Sequence, residues 1–388
     1  MTTNTLTNLI PSVYSAIDVV SRELTGMIPA VSLDARSSQA AVNQAVYVPI
    51  APASNAIADN TPAMSVPSEA DQTIGSTAIT ITKSKHVPFS WSGEEELGVN
   101  SGPGANGIQQ NQIIQAIRTL TNSVENDLTA LYVAASRAAG TVTTTPFAST
   151  LDGAHQARKI LVDNGATGAD INLVVDTTAG ASLRNLAGLN AYKDGMALSD
   201  QGIIFRSGDV AIRESAQIYT PTAGTMSSAT TTTAALTVGQ TVLPLATAGT
   251  GVVAAGDVIT LANDTGNQYV VTSVSFAGAN PASGDTITIA APGLRKAQGS
   301  GTARAITVVA AGPRNMAFAR SAIVLAARVP TRPAMGDMAI DVEYITDPRT
   351  GLTFELSVYP GFRKVVYHIG LAWGVKCIKP EHTALLLG

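Results

Sequence analysis

The chain has 388 residues, of which 45% are hydrophobic, 13% charged and 5% aromatic, and its net charge is −4. This charge gives no basic face for direct nucleic-acid binding, and the scarcity of aromatic residues argues against a substrate pocket. The single cysteine, Cys377, excludes an intrachain disulfide and a thiolate metal cage. So few charges are typical of a subunit covered by its neighbours, or of a monomer whose surface is Thr, Ser, Asn and Gln.

The N-terminal stretch MTTNTLTNLIPSVYS lacks the positive region and the apolar core of a signal peptide. No apolar run in the chain is long enough to span a membrane. We therefore expect a soluble chain made in the cytosol, with no membrane partner.

An amphipathic helix is predicted near the N-terminus, because apolar residues recur there at steps of three and four. Gly26 and Pro29 follow it as a normal helix stop. The helix either packs on its own core or forms an arm on a neighbouring subunit, and the pattern leaves both open. The residues that would contact a neighbour are Ile10, Tyr14, Ile17 and Val20.

Two strand-like stretches, VYVPI (46–50) and TAITITKSKHVPF (77–89), flank a long connection rich in Pro and Asn. Such a connection is unusual inside a compact domain, so we expect an extended hairpin that leaves the body. A two-stranded ribbon is marginal alone in water and should find support on another subunit. Its positive residues, Lys83 and Lys85 beside His86, either form a solvated face or dock on an acidic neighbour.

Gly and Pro break the pattern over residues 91–107, and a long amphipathic helix is predicted over 108–138. The only dense acidic run, Glu94 to Glu96, lies in the broken segment. Such a run can bind a cation or act in acid–base catalysis. A solvated or inter-subunit patch is the favoured interpretation, with Glu94 and Glu95 as the contact candidates.

The region 147–222 has an α/β pattern. It predicts a helix in STLDGAHQARKILVDNG, a strand in DINLVVD (170–176) and a second helix in TTAGASLRNLAGL that starts from a Thr cap. The join VVDTTAGAS lacks both the Gly-Lys-Ser/Thr ending of a phosphate loop and the three-glycine dinucleotide pattern. The sequence therefore argues against a nucleotide cofactor.

The composition shifts over residues 223–310, where a Thr- and Ala-rich linker precedes short strands separated by turns. Evenly spaced short strands predict a small β-barrel or sandwich. The acidic residues of this region lie in turns, where we expect their side chains to cap the backbone rather than bind calcium. They are Asp257, Asp264 and Asp285.

From residue 315 the pattern predicts a short helix leading into a strand in NMAFARSAIVLAARVP, a hairpin around Asp-Pro-Arg-Thr-Gly, and one or two further strands. No Ser nucleophile elbow is present, and no two histidines have the spacing of zinc ligands. We predict no catalytic residue, no cofactor and no metal. The histidines are His86, His155, His368 and His382, each interpreted as a surface or half-buried residue.

The order of these elements resembles the major capsid proteins of tailed bacteriophages, the Hong Kong 97-type capsid fold, an α+β fold. It is most similar to the coat proteins of short-tailed phages that carry an inserted β-barrel. Three stretches carry the resemblance: NLIPSVYSAIDVVSRELTGMIPAV (8–31), TITKSKHVPFSWSGEEELGVN (80–100) and QIIQAIRTLTNSVENDLTALY (112–132).

The resemblance implies a division of the chain into six parts. These are an N-terminal arm (1–45), an extended hairpin loop and hinge (46–107), a spine helix with the peripheral domain (108–147), the first part of an axial domain (148–222), an inserted barrel (223–310) and the remainder of the axial and peripheral domains (311–388). Domain rearrangement during maturation would use hinge glycines before the spine helix, Gly98, Gly102 and Gly104.

The implied function is a structural, non-catalytic subunit that forms hexamers and pentamers of a shell around double-stranded DNA, without sequence-specific binding. The implied partners are a separate scaffolding protein, a portal protein and, in some relatives, a decoration protein. The implied location is the virion capsid, assembled in the cytoplasm of the bacterial host. Two alternatives stay open: an encapsulin-like cargo shell, against which the inserted barrel argues, and a secreted β-rich adhesin, against which the long helix argues.

Overall fold

The computed structural model describes residues 25–50, 74–100, 105–186, 203–247, 249–278, 280–333, 335–347 and 350–388. The predicted N-terminal helix with Ile10, Tyr14, Ile17 and Val20 lies outside these residues. So do the hairpin connection and two of the hinge glycines, Gly102 and Gly104. The described part contains two large sheets, a two-stranded ribbon and four α-helices, which confirms the predicted α+β class.

The helices are α1 (Gly93–Asn100), α2 (Ala105–Thr129), α3 (Asp152–Asp163) and α4 (Thr177–Asn185). The strands are β1 (Ser32–Ala40), β2 (Ala45–Ile50), β3 (Gly75–Thr80), β4 (Lys83–Ser92), β5 (Arg137–Gly140), β6 (Ile171–Val175), β7 (Ile203–Ser207), β8 (Val210–Glu214), β9 (Thr230–Thr231), β10 (Val242–Thr247), β11 (Val258–Leu261), β12 (Asp264–Ser275), β13 (Thr286–Ile289), β14 (Ile306–Val308), β15 (Arg314–Ala319), β16 (Ile323–Pro330), β17 (Asp341–Thr346), β18 (Thr353–Gly361), β19 (Lys364–Cys377) and β20 (Thr383–Leu387).

The first sheet is built around β19 and has the order β1-β16-β19-β18-β17, with β4 along the edge of β19 opposite β18. The helix α2 covers one face, because its apolar residues at helical spacing are buried against Leu371 and Trp373. Each large side chain buried in this way contributes about 1.5–3 kcal/mol to stability. The apolar residues of α2 in this core are Ile113, Ala116, Ile117, Leu120, Val124 and Leu128.

The second sheet runs β7-β8-β6-β15-β20-β5 through the body and continues into β12-β13-β10-β9. Its strands β8, β6, β15 and β20 are buried on both faces. On β6, for example, Val174 belongs to the core under α2, whereas Leu173 packs with Leu161 of α3 and Leu183 of α4 in a second core. Strands buried on both faces are apolar throughout rather than alternating.

This double burial explains one wrong prediction. The stretch NMAFARSAIVLAARVP was expected to begin with a short helix, but its first five residues belong to β15, and a single 3-10 turn at Arg320–Ala322 joins β15 to β16. All six residues of β15 are buried. Because both faces are apolar, the period of two that identifies a strand is absent from the sequence.

Three other boundaries differ from the predictions. The helix expected over 108–138 is α2, which ends at Thr129 and is followed by a 3-10 turn and β5, because β5 pairs with β20 and β12. The stretch 77–89 is two strands, β3 and β4, rather than one. The cap of α4 is Asp176 rather than a threonine, since its carboxylate accepts hydrogen bonds from the backbone N–H groups of Thr178 and Ala179.

One turn recurs four times, each time just before a strand. The fourth residue donates its N–H to the carbonyl of the first at 3.1–3.2 Å, and its side chain accepts from the N–H of the first at 2.7–3.2 Å. The third residue has φ between 71° and 91°, as a type II turn requires. The four turns are 41–44, 237–240, 254–257 and 282–285, and they precede β2, β10, β11 and β13.

Residues 223–310 contain β9 to β14 around a core of their own, with Leu243, Ile259 and Ile287 fully buried. The strand order is β9-β10-β13-β12-β11-β14, and a bridge between Thr230 and Ala305 joins its two ends. The closed barrel stays a prediction. The prediction that acidic side chains cap turns is confirmed for Asp257 and Asp285, each of which accepts two backbone hydrogen bonds.

Candidate subunit interfaces

The ribbon of β2 and β3 is a two-stranded sheet, separate from the two large sheets. Its strands pair with each other over six residue pairs, from Ala45 with Thr80 to Ile50 with Gly75. Within the described residues neither strand pairs with a third. Tyr47 is 70% exposed and Ile74 is 72% exposed. The ribbon therefore presents apolar side chains and two open edges to its surroundings.

The base of the ribbon crosses the first sheet on the face opposite α2. Ile79 and Ile81 are fully buried there against small residues of β16 and β19. Gly374 makes the crossing possible, because a Cβ atom at this position would lie 2.0 Å from the carbonyl oxygen of Thr80. Lys376 adds a hydrogen bond of 2.9 Å from its Nζ to the carbonyl of Ala78.

The candidate residues Lys83 and Lys85 lie on β4, which pairs with β19 over ten residue pairs and thus belongs to the body sheet. The Nζ of Lys83 lies 2.5 Å from Oδ1 of Asp127 on α2, and Asp127 also accepts from the indole Nε1 of Trp373 at 2.8 Å. Lys83 is thus held within its own subunit. Lys85 is exposed and remains a contact candidate.

The candidate residues Glu94 and Glu95 start α1, in a segment where the sequence predicted no helix. Oε2 of Glu95 accepts from both the N–H and the hydroxyl of Ser92 at 2.8 Å, and the hydroxyl of Ser92 accepts from the N–H of Glu95 at 3.2 Å. This is a capping box, and its backbone hydrogen bond lowers the pKa of Glu95. The Ser-x-x-Glu spacing in the sequence could have revealed it.

Glu94 is exposed, and its carboxylate lies 3.9 Å from the guanidinium of Arg363, which is also exposed. A pair this open to solvent contributes little to stability, so both groups are available to a neighbour. The hinge candidate Gly98 lies inside α1. The sequence prediction that these residues form contacts or a hinge stays a prediction.

A fully buried carboxylate that the sequence analysis missed lies on α2. Glu125 accepts hydrogen bonds from the N–H groups of Met27 and Ile28 and from the hydroxyl of Ser215, at 2.8–3.1 Å. Burial raises the pKa of Glu125 to about 7, although these hydrogen bonds act to lower it. The only signal in the sequence is an acidic residue adjacent to Val124 in the apolar stripe of the helix.

No set of three or more His, Cys, Asp or Glu in the described ranges could hold a metal ion. The rings of His86 and His368 stack 4.4 Å apart, and burial raises the pKa of Cys377 to about 11, which keeps it a neutral thiol. An open groove of about 320 Å³ between β4 and α2 is lined by apolar and amide residues, including Val87, Phe89 and Gln112.

No helix in the described part of the chain is long and apolar enough to cross a membrane.

No protein-family model matches the sequence, and no curated protein matches it. Among solved structures, a chain from Mycobacterium phage Che8 is 12% identical, with a TM-score of 0.43 and coverage of 89% of this chain and 84% of that one. A chain of the capsid of the cyanophage P-SCSP1u is 10% identical, with a TM-score of 0.45 and coverage of 92% and 86%. A chain of the mature capsid of bacteriophage PhiM1 is 12% identical, with a TM-score of 0.42 and coverage of 92% and 85%. Because all three TM-scores are below 0.5, we draw no conclusion about this chain from these matches.

Proposed function

We propose that this chain is the major capsid protein of a tailed bacteriophage, a structural subunit that assembles into an icosahedral shell around packaged double-stranded DNA. The observation that carries the proposal is the ribbon of β2 and β3, which has exposed apolar side chains and no third strand on either edge within the described residues. The resemblance of residues 8–31, 80–100 and 112–132 to capsid proteins supports the same function.

The ribbon gives a physical reason for association. A two-stranded ribbon is marginally stable alone in water, and open edges can pair with another chain. Burying Tyr47 and Ile74 on a neighbour would contribute about 2 kcal/mol each. Obligate interfaces commonly bury about 2,000 Å² or more, so the arm (1–45) and the ribbon would each supply part of such an interface.

The subunit acts by tiling rather than by catalysis in this proposal, and it needs no cofactor. The net charge of −4 suits a lining that must not hold DNA tightly. Its partners are further copies in hexamers and pentamers, a scaffolding protein, a portal protein and, in some shells, a decoration protein. The part 223–310 aids folding of its own subunit, and Gly98, Gly102 and Gly104 act as a hinge during maturation.

Electron microscopy of the full chain, purified after co-expression with its scaffolding protein, tests the proposal. We expect closed shells. The double variant Tyr47→Ser and Ile74→Ser should stay folded and lower the yield of shells at least tenfold, because about 1.4 kcal/mol of lost contact is already a factor of ten. The control variant Ser76→Ala and Thr77→Ala changes the same ribbon without removing apolar surface and should assemble normally.

Monodisperse monomers under all assembly conditions would contradict the shell function. Shells isolated from the native source that contain enzyme cargo instead of DNA would favour the encapsulin-like alternative.

A further inference from the structure

Arg314 is a cation buried where the body meets residues 223–310, the inserted region. It is the first residue of β15 and is 1% exposed. In the part of the chain that the structure describes, none of its three guanidinium nitrogens has a hydrogen-bond partner. A buried charge is unfavourable unless it is paired or hydrated, so this guanidinium requires a counter-charge or bound water.

The side chain of Arg314 lies on the face of β15 that is turned towards the core under α2. Met316 and Phe318 share this face, because side chains alternate along a strand. Both belong to the core that also contains Val258 and Val270 of the inserted region. Arg314 is therefore a residue of the body on the same face as the contact with the inserted region.

Two stacked tyrosines connect Arg314 to the turn that ends in Asp257. The rings of Tyr132 and Tyr219 have centroids 5.3 Å apart, and the carbonyl of Tyr219 accepts from the backbone N–H of Arg314 at 3.0 Å. A Cβ atom at Gly256 would lie 2.8 Å from the phenolic oxygen of Tyr132. Asp257 follows directly and is 4% exposed. Burial lowers the pKa of Arg314, whereas the charge of Asp257 and the phenol of Tyr132 act to raise it.

No direct ion pair joins the two buried charges. The carboxylate oxygens of Asp257 accept instead from the backbone N–H groups of Gly224 at 3.0 Å and Ala254 at 2.7 Å. Each oxygen keeps a lone pair for a further donor. Polar groups too far apart for a direct hydrogen bond are commonly bridged by ordered water. Buried water needs at least two polar partners, and Arg314 and Asp257 supply them.

We infer that Arg314 and Asp257 form a water-bridged ion pair, through which the inserted region supplies the counter-charge for a cation buried in the body. The guanidinium is balanced only when the inserted region is folded against β15. The dependence is unequal, because Asp257 without Arg314 still has two backbone donors, whereas Arg314 without Asp257 has no counter-charge. The ion pair thus makes the folding of the two parts cooperative.

A double-mutant cycle on the full chain, measured by chemical denaturation, tests the ion pair. Asp257→Asn keeps one acceptor oxygen for the turn but removes the charge, so it should lower the equilibrium constant for folding. In an Arg314→Met background the same substitution should lower it by about tenfold less. Equal effects of Asp257→Asn in the two backgrounds would overturn the inference.

Asp285→Asn is the matched control for this cycle. Asp285 also ends a turn and accepts from two backbone N–H groups, those of Ala277 and Ala282. Its substitution removes a charge from the same kind of turn, so its effect should be the same with and without Arg314. A dependence on Arg314 as large as that of Asp257→Asn would show that the coupling is not specific and would also overturn the inference.

A high-resolution structure of the unmodified protein tests the bridge even if these variants do not fold. We expect ordered water within about 3.2 Å of both the Arg314 guanidinium and the Asp257 carboxylate. Guanidinium contacts that do not lead to Asp257 through water would overturn the inference. Neither experiment requires assembly into shells, so the ion pair and the proposed function can fail separately.

Discussion

At the scale of single residues, the position of the ribbon depends on Gly374. The ribbon crosses β19 so closely that Thr80 occupies the space where any side chain at 374 would begin. β19 resists a shift here, because β16 pairs with it at Gly374 and β4 pairs with it up to the adjacent Trp373. Backbone is therefore opposed to backbone, and only glycine fits.

We expect Gly374→Ala to destabilise the protein by about 1–3 kcal/mol, the usual range for overpacking a rigid site. Ile79 and Ile81 should become exposed at the same time, because the ribbon must lift from the sheet. Chemical denaturation and proteolysis of the ribbon would measure both effects. Gly266→Ala is the matched control, since a Cβ there meets nothing within 4 Å. An equal effect of the two substitutions would contradict this account.

Single residues also differ in how well the sequence predicts their roles. The turn positions of Asp257 and Asp285 were predictable, because one hydrogen bond of each carboxylate lies within its own turn and follows from Gly-Asp turn chemistry. The capping role of Glu95 was predictable in principle, because Glu95 lies three residues after Ser92. The partners of Glu125 lie about 90 to 98 residues away, so no local pattern could have identified them.

At the scale of elements, the four recurring turns set where β2, β10, β11 and β13 begin. In each turn the side chain of the fourth residue, rather than a backbone carbonyl, accepts a hydrogen bond from the N–H of the first residue. The backbone groups at both ends of the turn are therefore hydrogen-bonded before the strand begins. In the inserted region Asp257 and Asp285 also reach a second chain segment, through the N–H groups of Gly224 and Ala277. These carboxylates therefore connect loops as well as closing turns.

Replacing Asp257 or Asp285 by Ala should lower the free energy of unfolding by about 1–3 kcal/mol, because each change leaves two backbone N–H groups without an acceptor. Thermal unfolding measures the effect. Asp209→Ala is the control, because the Asp209 carboxylate pairs with Arg158 on the surface. This substitution should lower the free energy of unfolding by less than about 1 kcal/mol. If all three variants unfold alike, the turn carboxylates do not have the stabilising role assigned to them.

Most of these elements were predicted from the sequence, including β6, which is buried on both faces, but β15 was not. The apolar stripe of α2 predicted its central turns, and the Asp-Pro-Arg-Thr-Gly turn predicted the hairpin of β17 and β18. β15 lacks any alternation, because α2 lies beyond one of its faces and α3 beyond the other. The end of α2 was missed because apolar spacing continues through Leu131 and Ala135 into the next element.

At the scale of the whole molecule, the inserted region is fused to the body rather than suspended from it. β12 pairs with β5 through Gln268 with Ala138 and Tyr269 with Arg137. Val258 and Val270 belong to the core under α2. The composition shift at residue 223 predicted a separate unit, but a contribution to the main core is a long-range property that composition does not encode.

Deleting residues 224–309 and joining the ends with a short Gly/Ser bridge should therefore destabilise the body by about 3 kcal/mol or more, the contribution expected from burying two valines. Soluble yield and thermal unfolding of the deletion would measure this. Inserting the same bridge at Gly299, which lies in open space, should have no effect. A deletion that is as stable as the full chain and forms normal shells would exclude a role for the region in folding and in contacts between subunits.

The short distance between the ribbon and β4 has a mechanical consequence. Only Ile81 and Thr82 separate the end of β3 from the start of β4, so tension applied to the ribbon passes directly into β4. Tension along β4 loads its ten residue pairs with β19 in shear, and these pairs must yield together rather than one after another. A lattice linked through such ribbons would distribute internal pressure over the central strand of every subunit.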